Sequence, residues 1–118
     1  MKALKIILLT FFLLCSSHQV NAQKKVTAEN ANEIVFSQDG SNAVLTFDGI
    51  KNGKQIWIEK WQGQTFSYTE TSHDEYSIYM KNQSKGWFLQ VDLFKRQIIF
   101  DDGSGKKIPL QIKSVKSS

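Results

Sequence analysis

Trp57, Glu59 and Trp61 recur at a two-residue spacing, which puts two indoles and a carboxylate on one side of an extended segment. Further along, Ser77 with Tyr79, and Phe88 with Gln90 and Asp92, repeat the mixture. Flat aromatic rings beside carboxylate and amide groups suit a sugar, whose C–H faces pack on the rings and whose hydroxyls need hydrogen-bond partners. Trp57, Trp61 and Tyr79 are therefore candidate stacking residues, and Glu59, Gln90 and Asp92 candidate hydrogen-bonding residues, of a ligand-binding face. The same rings also suit a second layer of packing, or a protein interface, where Trp and Tyr are enriched. Which applies depends on whether that face meets water.

Other chemistry has weaker support. His73-Asp74-Glu75 sets a histidine beside two carboxylates, a pairing found in general bases and metal sites but also in ordinary turns. Asp101-Asp102-Gly103-Ser104-Gly105 has the composition of a calcium loop without its alternating ligands and distant glutamate, so a conformational turn is the simpler reading. Glu59, Glu70, Glu75 and Asp92 offer carboxylate pairs of the kind glycoside hydrolysis uses, as any β protein rich in acids does. No catalytic residue, metal ligand or cofactor is assigned, and a non-enzymatic reading is preferred over a small hydrolase.

The segments that must position these residues alternate in polarity and are punctuated about every ten residues, which is the pattern of an all-β chain. Runs fall at residues 33–36, 43–47, 54–61, 65–71, 75–81, 87–93, 97–100 and 107–113. Asp39-Gly40, Asp48-Gly49 and Asn52-Gly53 supply the positive φ of tight turns, and Gln62-Gly63-Gln64 punctuates the chain further on. No connection is long enough for a crossover helix, so the sheet is expected to be antiparallel. Seven or eight such strands form a small meander that closes as a barrel or folds as a sandwich. Pro109 implies that the last run lies at an edge or begins irregularly.

Alternation assigns a core face to Ile56 and Ile58, Phe66 and Tyr68, Tyr76, Ile78 and Met80, Trp87, Leu89, Val91 and Leu93, Ile98 and Phe100, and Ile108, Leu110 and Ile112. The mixed aromatic and polar residues take the opposite face. Residues 23–32 read as a polar lead-in that either makes one helical turn capped by Thr27 or, equally well, runs extended. Residues 33–113 form the single domain, and residues 114–118 a frayed tail.

Residues 1–22 read as a secretory signal peptide: Lys2 and Lys5, an apolar run over residues 6–14, and Val20-Asn21-Ala22 before a cut at Gln23. The run is about half the ~20 residues a spanning helix needs, so no transmembrane anchor is expected in the mature form. Lipidation at Cys15 is the weaker alternative, because Leu14 is large for that cleavage. Removing the leader leaves 96 residues, a net charge of +2, no cysteine and twelve aromatics. Disulfides and thiol chemistry drop out, and so small a basic excess gives no support for a nucleic-acid partner. The expectation is a secreted (periplasmic or extracellular) module binding a glycan or cell-envelope component, with an inhibitor or adaptor that binds another protein as the rival.

Overall fold

The computed structural model describes residues 25–118, and the expected leader lies outside them. Eight strands follow in chain order: β1 (Ala31–Gln38), β2 (Ser41–Lys51), β3 (Lys54–Trp61), β4 (Gln64–His73), β5 (Ser77–Asn82), β6 (Trp87–Asp92), β7 (Gln97–Asp101) and β8 (Lys107–Ser117). Each pairs antiparallel with the next, and β8 returns to pair with β1. The result is a closed up-and-down barrel, the first of the two architectures expected from the punctuation.

Turn chemistry sets the register. Asp39-Gly40, Asn52-Gly53 and Gln62-Gly63 each place two successive residues at positive φ, the backbone of a type I′ two-residue hairpin. At the third, φ is 49° for Gln62 and 74° for Gly63, so Trp61 faces Gln64 and every pair behind them follows. Asp48-Gly49 behaves differently from its sequence reading. It is a bulge within β2, between the pairs Phe47–Trp57 and Gly49–Ile56, and the turn is made by Asn52-Gly53 instead.

The core fills the barrel interior with Ile34, Phe36, Leu45, Trp57, Tyr68, Ile78, Met80, Val91, Ile98 and Ile112, all 2% exposed or less. The inward assignments in β4 to β7 hold, but those in β3 are reversed. Trp57 lies opposite Tyr68 and Phe47, and Glu59 opposite Phe66 and Leu45, so both point inward. Ile56 and Ile58 point outward, opposite Thr69 and Ser67. The physical reason is the one-residue sensitivity of a two-residue period: once the turn pairs Trp61 with Gln64, the inward Phe66 and Tyr68 bring Glu59 and Trp57 with them. Two other core expectations fail at strand ends. Tyr76 sits in the β4–β5 turn, tilted over Phe94 at 6.0 Å, and Ile108 is 38% exposed at the start of β8.

Both ends of the described residues are tied into the fold more firmly than their composition implies. The Ala31 N–H donates to the Thr27 carbonyl at 2.9 Å, closing one helical turn, and Ala28 and Ala31 are buried. The Ala28 N–H reaches the Glu75 carbonyl at 2.9 Å. In a ring of eight strands, that contact takes the chain from β1 across one barrel end to the β4–β5 turn. Residues 114–117, expected to fray, belong to β8, where Ser114, Val115, Lys116 and Ser117 pair with β1.

The pairing is incomplete at the opposite end. Residues 107–111 of β8 pair with β7 alone, and Pro109 sits there, where a missing N–H removes nothing from the β1 seam. Residues 64–68 of β4 pair with β3 alone. Between these partings the interior is filled by aromatic edges, Trp87 standing 5.2 Å from Phe66 and 5.5 Å from Phe100 between ring centroids. The β5–β6 and β7–β8 turns also meet here. A Cβ on Gly103 would lie 2.9 Å from the Gly86 carbonyl oxygen, so that approach needs glycine.

The inverted face of β3 can be checked by urea unfolding. Trp57→Ala is expected to cost about 3–5 kcal/mol, as loss of a buried large aromatic does, and Ile58→Ala less than about 2 kcal/mol. The reverse order would restore the assignment of Ile58 to the core.

Candidate functional site

The six residues singled out for a ligand face do not form one surface. Trp57 is 1% exposed, its Nε1–H donating to Glu70 Oε1 at 3.1 Å and its ring standing edge-on to Phe47. Glu59 is 3% exposed. Trp61 is half-buried against the core, with Nε1–H donating to the Gln38 carbonyl at 3.2 Å and to Ser41 Oγ at 3.0 Å, which ties β3 to the β1–β2 hairpin. These three residues are structural, and none is free to stack on a ligand from solvent. Asp92 lies outside, but its Oδ1 accepts the Phe94 and Lys95 N–H groups at 3.0 and 2.9 Å and so holds the β6–β7 turn.

Tyr79 and Gln90 do come together. They are cross-strand partners on the outer face, Gln90 being exposed and Tyr79 half-buried. The rung they share runs from Ser72 through Tyr79 and Gln90 to Ile99. The adjacent rung runs from Lys81 through Phe88 and Asp101 to Lys107. Together they line a groove of about 360 Å³ that includes Thr71, Ser72, Tyr79, Phe88, Gln90, Ile99, Asp101 and Lys107. Phe88 is 42% exposed, and the Lys81 ammonium lies 5.2 Å from its ring centroid. The site thus offers two aromatic rings, an amide, three hydroxyls and charges of both signs. Phe88 was available to sequence reasoning, because alternation puts it on the same face as Gln90. Asp101 and Lys107 were not, since only the register of β7 against β6 and β8 brings them alongside.

The buried acids make a different arrangement. Glu70, with its side chain 6% exposed, accepts from Trp57 through one oxygen and lies 2.8 Å from His73 Nδ1 through the other. His73 therefore pairs with Glu70 rather than with its sequence neighbours. Asp74 uses Oδ1 to cap the Tyr76 and Ser77 N–H groups. Burial pushes the Glu59 carboxyl above its ordinary 4.5, with the Tyr68 hydroxyl partly opposing that shift. The Tyr68 phenol is itself pushed up, by burial first and then by the Glu59 charge. The two groups act on each other at close range, yet the buried Tyr68 oxygen has no well-formed hydrogen bond.

Asp101 and Asp102 turn their carboxylates onto their own loop. Asp101 Oδ1 accepts the Gly103 N–H at 2.9 Å, and Asp102 Oδ1 accepts the Ser104 N–H and hydroxyl at 2.9 and 2.6 Å. The Ser104 hydroxyl is the main reason the Asp102 carboxyl titrates below its usual range. Among the described residues no three His, Cys, Asp or Glu side chains converge as a metal site, and no helix is long and apolar enough to cross a membrane.

Fold and groove define a class: an eight-stranded antiparallel barrel, without cysteine among the described residues, that carries a groove on the outside of its wall. No family model matches the chain, and no curated protein or solved structure matches it.

The raised Glu59 carboxyl has a signed consequence. The folded protein keeps a proton that the unfolded chain releases near pH 4.5, so ionisation of the unfolded chain draws the equilibrium toward unfolding. As pH rises through that value, the parent should lose stability relative to Glu59→Gln, and the deficit should stop growing above the folded-state value. Melting temperatures of both proteins between about pH 3 and 8 test this; parallel curves would mean that Glu59 is not held protonated.

Proposed function

We propose that the protein is a non-enzymatic binding module that works outside the cytoplasm and takes a glycan or cell-envelope component in the groove over β5, β6 and β7. One observation carries the reading: Tyr79 and the exposed Phe88 stand beside Gln90, Ser72, Asp101 and Lys107 on two adjoining rungs of the outer wall. Rings give a sugar's apolar face something to pack on, and the polar groups around them can exchange hydrogen bonds with its hydroxyls. Export rests on the composition of residues 1–22.

The groove keeps the part of the expected face that lies on β5 and β6 and extends from there toward β7 and β8. Of the original six residues, Tyr79 and Gln90 keep a role; Phe88 takes the stacking position that the tryptophans vacate. Glu59 and Glu70 face the interior, while Glu75 and Asp92 lie in or beside turns, an arrangement that lends the hydrolase reading no support.

A glycan array combined with sedimentation on cell-wall polysaccharide tests the proposal. Parent protein is expected to bind, and Tyr79→Ala and Phe88→Ala each to weaken binding by about three- to tenfold, the worth of one aromatic contact. Both variants should keep the parent's melting temperature to within a few degrees. Absence of binding by the parent, or equal binding by parent and both variants, would overturn it.

A further inference from the structure

The two partings of the barrel wall are not alike. Along residues 107–111, the open edge of β8 carries Lys107 and Pro109, with Lys106 just before it. Lysine and proline are the usual guards against strand addition. Along residues 64–68 (Gln-Thr-Phe-Ser-Tyr), the open edge of β4 carries neither charge nor proline.

Backbone directions on that edge follow from the hairpin. The type I′ turn at Gln62-Gly63 makes Trp61–Gln64 a hydrogen-bonded pair, and the ladder then alternates. Thr65 and Ser67 consequently aim both N–H and C=O away from β3, into the parting. Thr69, two residues on, aims the same way and meets Lys81 of β5. At Thr65 and Ser67 the parting offers no strand, so four main-chain groups face an opening.

That opening is a slot of about 370 Å³. One wall is Thr65, Phe66 and Ser67; the other is the β5–β6 turn, Gln83, Ser84 and Lys85. No acidic side chain lines it, the Lys85 ammonium lies over the Trp87 ring at 5.7 Å, and Lys60 stands exposed beside Thr65 across the β3–β4 ladder. An edge of alternating donors and acceptors calls for another main chain, and a lining that holds Lys85 and no acid calls for negative charge. We propose that this slot takes an extended, acidic polypeptide segment, which adds to β4 as a further strand along residues 64–68. This is a second site, independent of the outer-face groove and of what that groove binds.

The probe is an N-acetylated seven-residue peptide alternating valine and glutamate, with its valine–lysine counterpart as control, added to the full chain. The glutamate peptide should slow amide hydrogen exchange at Thr65 and Ser67 and bind more tightly than the lysine peptide. Ser67→Pro removes one edge N–H without touching the β3 ladder and should weaken binding by about tenfold. Lys85→Glu leaves the edge intact and should shift preference toward the lysine peptide, which keeps the test decisive should Ser67→Pro fail to fold. Unchanged exchange at Thr65 and Ser67 with millimolar peptide would overturn the proposal, as would a charge preference that Lys85→Glu does not move. Light scattering that shows a concentration-dependent dimer, abolished by Ser67→Pro, would also overturn it by assigning the edge to a second copy of the chain.

Discussion

The pairing of β1 with β8 is the constraint on which the rest of the molecule depends. A meander left open would expose two full-length edges and one apolar face; closure turns that face inward and lets a short chain bury it. The seam is confined to one half of the barrel, where Ala31 to Phe36 meet Ile112 to Ser117. The chain end spent on it reads, by composition, as a polar tail. Lysine and serine pair there as well as any residues, because a ladder is made of main chain.

The same confinement explains the uneven wall. At the seam end, the Thr27–Ala31 turn lies across the opening and ties itself to Glu75 and, through Asn30, to Ser118. At the other end β4 parts from β5 and β8 from β1, and side chains do the closing: Phe66, Trp87 and Phe100 meet edge to face.

Most of the fold was legible in the sequence, because turn residues and alternation act locally. All eight runs correspond to strands, and the antiparallel meander follows from connections too short for a helix. The face of β3 was misread because hydrophobicity and register disagree there. Ile56 and Ile58 are the more apolar pair, yet Gln62-Gly63 fixes Trp61 opposite Gln64 and leaves Trp57 facing Tyr68. Reading the turn before the hydrophobicity would have placed the tryptophans inside. The groove was legible in part. Tyr79, Phe88 and Gln90 share a face by local alternation, whereas Asp101 and Lys107 arrive through pairings between strands that no local pattern specifies. The interior carboxyls were equally hidden, since nothing near Glu59 in sequence distinguishes it from a surface acid. Glu59 and the Tyr68 hydroxyl put polar atoms where a purely apolar filling would cost less.

The direction in which the chain enters the barrel also orients it. Lys25 and Val26 lead into the turn that lies across the seam end, and Ser118 finishes beside Asn30 at that same end. The unguarded edge of β4 and the parted turns are at the other. Lys25 and Ser118 therefore both lie at the end away from that edge. Whatever approaches the parted rim meets neither Lys25 nor Ser118, and a segment pairing with β4 would have the rim to itself.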